Sequence, residues 1–314
     1  MAYSFKLSRR IARFRAPVFA SLVLALVACD TTESLDPINS SNPDGTDAIA
    51  LAEPTVASAS FSGGIPIGMA AQPVNEFGQR FNGGKRTIGP GKLMEELSAI
   101  RSRGGRVILM FAGHPRHYRD GSGHFSFDKW KARVNEYRRL NFESYVKDGT
   151  VIGHYLIDEP NDPRNWSGRP VSASMVEQMA KYSKSLWPGM ATIVRVEPDY
   201  LDYNHRYLDA AWAAYLWRRG NVNDYLRSNV AHAQKRGLQL VVGLNVIDGG
   251  NPKLTPMSAK EVEDWGSAML DSSYPCAFIM WTHNSTYLKS SGMPNAMDAL
   301  RRKANNRSSK SCKA

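Results

Sequence analysis

Short apolar runs recur along this chain, each followed by a polar or aromatic cluster and separated from the next by an amphipathic stretch. The runs occupy residues 65–70, 106–112, 151–157, 192–196, 211–216, 238–246 and 277–282. Strand-like segments that alternate with helical ones specify an α/β domain around a parallel sheet. No run reaches the ~18 to 20 apolar residues of a spanning helix, which excludes a polytopic membrane protein. The 314 residues are 42% hydrophobic and include seven Trp, 13 Tyr and 11 Phe, enough to bury a sizeable core in one or two domains.

The helical stretches show their period directly. Leu93, Leu97 and Ile100 share a face and stop at Gly104-Gly105, and Trp130, Val134 and Tyr137 mark the next helix. Met175, Met179, Tyr182 and Leu186 form a third stripe, and Tyr225, Leu226, Val230 and Ala233 a fourth. Ser258 and Glu261 make a capping box ahead of Val262, Trp265 and Met269. There is no internal repeat, G-x-G-x-x-G run or P-loop, which weakens a nucleotide-binding doubly wound sheet. Seven strands in some 250 residues, each ending in a polar cluster, fit a (β/α)8 barrel, whose chemistry sits at the carboxyl ends of the strands. The eighth strand is not apparent. Residues 54–60, part of a long loop, or outright absence would each close the count.

The expected strand ends read Gly113-His114-Pro115-Arg116-His117, Asp158-Glu159-Pro160-Asn161-Asp162, Arg195-Val196-Glu197-Pro198-Asp199, Asn245-Val246-Ile247-Asp248 and Trp281-Thr282-His283-Asn284. Among them, Gly153-His154-Tyr155-Leu156-Ile157-Asp158-Glu159-Pro160 resembles the fourth strand of TIM-barrel glycoside hydrolases of the large retaining clan. The usual form there is Asn-Glu-Pro, with the Glu as acid/base, and here Asp158 stands in the place of the Asn. Phe278-Ile279-Met280-Trp281 is similar to the clan's last strand, where a tryptophan often floors the sugar subsite. The resemblance implies a barrel over 61–304, a carbohydrate substrate, and Glu159 as the acid. Two departures stand beside it. The seventh-strand nucleophile has no counterpart in Leu240-Val241-Val242-Gly243-Leu244-Asn245, and placing Asp158 on strand four requires an extra strand before Phe61 or a register shifted by one.

Glycoside hydrolysis needs one protonated and one charged carboxyl flanking the scissile bond. Glu159 is the expected acid, its pKa raised by Asp158 and by an apolar strand. Its partner is Glu197 or Asp248. Alternation puts Ile193, Arg195 and Glu197 on one face, so Arg195 is expected to keep Glu197 charged, or to brace the mouth as an ion pair with it. His114, Asp158, Arg195, Asn245, Trp281 and Asn284 are the expected substrate contacts, while Trp166, Trp217, Tyr118 and Tyr287 offer stacking surfaces or pack in the core. His154, mid-strand, reads as a core residue. A barrel that binds carbohydrate without cutting it is the alternative. A metal-dependent TIM-barrel hydrolase using His114 and His117 with Asp158, Glu159 or Asp248 is the other. No Gly-x-Ser-x-Gly elbow is present, Cys276 opens a strand at the wrong end of a barrel for catalysis, and no metal or cofactor is expected.

The formal charge of +11 is unevenly spread. Lys6, Arg9, Arg10, Arg13 and Arg15 precede an apolar segment from Val18 to Val27, and Leu26-Val27-Ala28-Cys29 resembles the lipobox of bacterial lipoproteins. That implies a signal peptide over 1–28, a lipidated Cys29, and an envelope protein facing the periplasm or exterior. Residues 30–60 hold six acids and no Lys or Arg, with the composition of a flexible tether joined to Cys29. The last fourteen residues hold six Lys and Arg and no acid, a basic tail over 305–314 being the expected solvated end. What is left for residues 61–300 is only +6, so nucleic acid is not an expected partner. A monomer is the expected state. Cys276 and Cys312 are expected either to pair and pin the tail, or to stay free.

Overall fold

Eight parallel strands follow one another around a closed barrel: β1 (Ile67–Ala70), β2 (Gly83–Arg86), β3 (Arg106–Leu109), β4 (Val151–Asp158), β5 (Thr192–Arg195), β6 (Ala210–Tyr215), β7 (Gln239–Leu244) and β8 (Ala277–Met280). The last pairs with the first, Gly68 lying opposite Ile279. This computed structural model describes residues 63–202 and 204–314, so the expected signal peptide, Cys29 and tether lie outside the described residues. Helices α1 (Leu93–Ser102), α2 (Phe127–Asn135), α3 (Glu143–Lys147), α4 (Ala173–Leu186), α5 (Val222–Lys235), α6 (Ala259–Asp271), α7 (Ser285–Leu288) and α8 (Met293–Asn305) complete a (β/α)8 fold.

The eighth strand is β2, inside the long connection between β1 and β3. Neither an extra strand before Phe61 nor a shifted register is needed, and Asp158 ends the fourth strand as the structure counts them. The run Gly-Gly-Lys-Arg has no apolar or β-branched residue, and its glycines answer to space. A Cβ on Gly68 would lie 1.8 Å from the carbonyl oxygen of Gly83, and one on Gly83 would lie 2.8 Å from the Ile67 nitrogen. At this point in the barrel wall the strands approach too closely for side chains.

The helices form where the stripes predict. Ser258 Oγ accepts from the Glu261 N–H while the Glu261 carboxylate accepts from the Ser258 N–H, the reciprocal cap of α6. Their apolar faces close one core against the outside of the barrel, with Leu97, Trp130, Val176, Met179, Leu226 and Val262 all buried. A second cluster fills the interior: Ile108, Tyr155, Ile193, Trp212, Val241 and Ile279. His154 points to the outer core. It is wholly buried and bonded to Ser183 Oγ at 2.9 Å, and burial lowers its pKa to about 3, so it stays neutral.

Cys276 and Cys312 form a disulfide with Cα atoms 5.3 Å apart, and both belong to the interior cluster. The chain after α8 therefore runs across the strand-start end of the barrel. Arg307 donates to the Pro275 carbonyl, Lys310 to that of Tyr274, and the Ala314 N–H reaches Asp209 Oδ1 at 3.2 Å.

Candidate active site

The fourth strand does not run straight into its terminal carboxylates. His154 and Tyr155 pair with Thr192 and Ile193, but the next pair is Asp158 with Arg195, so β4 carries one more residue than β5 over this interval. Such a bulge re-aims the residues beyond it. Leu156 and Ile157 both pack into the outer core, and Asp158 turns back to the barrel mouth. There its Oδ1 accepts from Tyr155 Oη at 2.8 Å and from Arg195 Nη1 at 2.8 Å.

Glu159 follows with φ +40°, a left-handed conformation rare for a residue with a side chain. Three hydrogen bonds hold it: its N–H donates to the Arg195 carbonyl (3.0 Å), and its own carbonyl accepts from Asp162 N–H and Trp166 Nε1, both at 3.1 Å. The Glu159 side chain is 43% exposed and lies 3.3 Å from Arg195 Nη1. It stands at an open, ion-paired rim rather than shielded by the apolar strand as expected.

Arg195 is buried and serves the β4 end, not Glu197. Beyond its two carboxylates it lies over the Trp281 ring, 4.7 Å from the centroid. The expected Arg195–Glu197 pair does not form, because β5 ends at Arg195 and Glu197 lies two residues beyond it, at the start of the following turn. Glu197 instead meets Arg219 at 2.6 Å and Tyr225 Oη at 3.2 Å, both from the β6–α5 segment. Burial raises the Glu197 pKa, outweighing the opposing charge of Arg219 and the Tyr225 hydrogen bond.

Glu159 and Glu197 line the same cleft, of about 240 Å³, together with Arg195, Asn245, Trp212 and a rim of Arg164, Arg218 and Arg219. Trp212 closes its floor, 1% exposed and edge-on to Tyr155 at 5.5 Å, with an indole N–H that finds no acceptor in the protein. Asn245 follows β7, and its Oδ1 accepts from the Asp248 N–H at 3.3 Å. Asp248 itself is exposed and outside the cleft lining.

The other expected contacts disperse. His114 is exposed and caps a short turn by accepting from the Arg116 N–H, and slight burial with the charges of Arg116, Arg119 and His117 lowers its pKa. Asn284 caps α7 through the Tyr287 N–H. Trp166 and Tyr118 are fully buried, Tyr287 Oη is committed to the Met257 carbonyl, and Trp217 is 41% exposed beside the cleft residues Leu216 and Arg218. Among the described residues no three His, Cys, Asp or Glu side chains gather as a metal site would require, so His114 and His117 do not assemble one with the carboxylates.

Sequence reasoning missed Trp212 on the cleft floor, and it missed Lys85. Lys85 projects from β2 into the barrel, buried, with Nζ 5.1 Å from the centre of the Tyr155 ring and 5.8 Å from that of Trp281. Burial lowers its pKa to about 8, against the pull of Asp158 and with the push of Arg195. Its only sequence signal is a Lys directly after a Gly-Gly pair.

No protein-family model matches the sequence, and no curated protein does. Solved structures share the architecture. The exo-beta-1,4-mannosidase from Opitutaceae bacterium strain TAV5 superposes with a TM-score of 0.50 at 12% identity, over 79% of this chain and 62% of the mannosidase. The endocellulase from Pyrococcus horikoshii gives 0.48 at 13% identity over 71% and 83%. Xylanase 10B from Thermotoga petrophila gives 0.46 at 11% over 77% and 95%. At such identities the likeness is one of fold, the (β/α)8 barrel, and this chain spans about three fifths of the mannosidase's length.

Proposed function

We propose that this chain hydrolyses glycosidic bonds in a carbohydrate of the cell envelope or its surroundings, using Glu159 and Glu197 as its carboxyl pair. The observation that carries the reading is the contrast between two acids on adjacent strand ends, facing one cleft. Burial raises the pKa of Glu197, which suits the proton donor to a departing sugar oxygen. Glu159, ion-paired to Arg195 and half-exposed, suits the charged partner that attacks the anomeric carbon or activates water. The two roles are thus exchanged relative to those inferred from the Asp-Glu-Pro motif. Trp212, Asn245 and Arg218 supply a floor and a rim for sugar rings.

The chemistry is a single displacement or a pair of them. Glu197 gives its proton to the glycosidic oxygen as that bond breaks. The electron pair arriving at the anomeric carbon comes from a water that Glu159 deprotonates, or from the Glu159 carboxylate itself, in which case the glycosyl ester is cleaved in a second displacement by a water that gives its proton to Glu197. Turnover of a panel of glucans, xylans, mannans and peptidoglycan, followed by reducing-end release, tests the reading. Cleavage of one substrate that is lost in both Glu159→Gln and Glu197→Gln supports it, and cleavage indifferent to both removes it.

A barrel that binds glycans without cutting them is favoured by one feature, the absence of an acid at the end of β7, where Leu244 is followed by Asn245. Saturable glycan binding with no product release from any of the panel would select it. The anchor is also a proposal: Cys29 as the lipidated first residue of the mature chain, checked by mass spectrometry of the mature N-terminus and by its loss in Cys29→Ser.

A further inference from the structure

The end of the barrel opposite the cleft carries a surplus of positive charge. Its carboxylates are neutralised one by one: Asp148 by Arg101, Asp209 by Lys184 and Asp271 by Lys303, each at 2.6 Å, and Glu143, on the apolar groove at this end, by Lys147 at 2.9 Å. The cations of the last segment are not. Arg307, Lys310 and Lys313 donate to the carbonyls of Pro275, Tyr274 and Pro188, partners that hold the side chains in place and leave their charge standing. The Cys276–Cys312 disulfide fixes this segment to the barrel. Next to Lys313, a groove of about 340 Å³ is walled by Leu140, Phe142, Trp187 and Pro188 and edged by the exposed Arg138 and Arg139. Apolar and aromatic groups ringed by uncompensated cations match the boundary between lipid headgroups and acyl chains.

The path of the chain supplies the second argument. Ile65 N–H donates to the Ala304 carbonyl at the end of α8, so the 62 residues that precede Gly63 join the barrel on this same end. The described chain thus begins at the basic end, with the cleft at the other end of the barrel.

We propose that this strand-start end is a docking surface for anionic lipid headgroups, contacted by Arg138, Arg139, Arg307, Lys310 and Lys313 with Trp187 at the apolar groove. The cleft then faces away from the bilayer, toward polymer in the surrounding space. The proposal is independent of catalysis and holds for a barrel that only binds glycans.

The test uses the full chain carrying Cys29→Ala, so that no lipid is attached. It is mixed with vesicles of phosphatidylcholine alone or with about a third phosphatidylglycerol, and amide hydrogen exchange is read along the sequence. Protection at 138–147, 186–190 and 307–313 with the anionic vesicles alone is expected, whatever the N-terminal segment does. Arg138→Gln/Arg139→Gln/Lys313→Gln changes exposed positions and should lower partitioning about tenfold or more, since each near-surface cation contributes about fivefold. Equal protection with neutral vesicles, protection at 159–166 instead, or an unmoved partition coefficient in the triple variant would overturn the proposal. So would protection of the same segments by a soluble acidic polysaccharide with none by vesicles, which would make the face a site for that polymer.

Discussion

Arg195 Nη1 lies 2.8 Å from Asp158 Oδ1 and 3.3 Å from Glu159 Oε1, so one buried guanidinium on β5 positions both acids of the β4 end. The same cation leaves Glu197, two residues along its own chain, to Arg219. The different surroundings of the two cleft carboxylates start from that choice.

Removing Arg195 should therefore cost more than a surface ion pair. Arg195→Met strands Asp158 beside an apolar side chain, and breaking a buried pair on one side costs about 3 to 5 kcal/mol. Urea unfolding at neutral pH should show a loss at the lower end of that range, because Asp158 keeps some solvent contact and the Tyr155 hydroxyl. A loss under about 1 kcal/mol would mean that the pair is no more than a solvated one.

Glu159 stands in the left-handed region, where a non-glycine residue costs about 1 to 3 kcal/mol. Glu159→Gly should return part of that, leaving the fold more stable or unchanged in Tm despite the lost ion pair, while abolishing turnover. A clear fall in Tm would show that the strain is slight and the side chain chiefly structural.

The legible parts of this protein were those that bury apolar surface on a period. The β3, β4, β7 and β8 runs, the helical stripes and the α6 capping box read directly, because burial and capping choose residues by type. β2 did not read, since close strand approach selected glycines there in place of a hydrophobic pattern, and Lys85 vanished with it. The partner of Arg195 was misread for a different reason. Alternation along β5 does align Arg195 with Glu197, but the extra residue in β4 brings Asp158 and Glu159 to the guanidinium, and a bulge leaves no mark in a run such as Tyr-Leu-Ile-Asp.

Lys85 gives a pH dependence with a definite sign. Its pKa falls from 10.5 to about 8 on folding, so between those values the unfolded chain binds more protons than the folded one and stability rises with pH. Below about 8 both states carry the charge and the full burial cost is present. Compared with Lys85→Met, the wild type should gain stability on the order of 3 kcal/mol between pH 8 and 10.5. A difference between the two proteins that stays flat over this interval would place the ammonium in solvent.

The Cys276–Cys312 bridge spans 36 residues, including β8 and α8. Closing a loop of that length stabilises by about 3 to 4 kcal/mol in the chain-entropy account. Cys312→Ser should lower the urea midpoint accordingly, and should raise exchange at 307–313, whose lysines and arginine lose the fixed frame that orients them. Unchanged exchange there would show that the carbonyl contacts alone hold the segment.

The assignment of acid and base is open to a direct measurement. If Glu197 is the proton donor, Glu197→Gln should lower kcat by ~10² to 10⁴ on a glycoside with a poor leaving group, and much less on an activated aryl glycoside that departs without protonation. Glu159→Gln should depress both substrates alike, because attack at the anomeric carbon is needed whatever leaves. The pH profile separates the two further. Burial raises the Glu197 pKa, so the active protonated form persists above the ordinary carboxylic range and is lost on the alkaline limb, a limb that Glu197→Gln should abolish. The same shift acts on stability. The folded state holds the proton more tightly than the unfolded one, so the contribution of Glu197 is greatest below its unfolded pKa and declines as pH rises through the folded one. Relative to Glu197→Gln, the wild type should therefore lose Tm over the interval in which its activity falls. Leaving-group dependence found in Glu159→Gln in place of Glu197→Gln would restore the roles that the Asp158-Glu159-Pro160 motif implies.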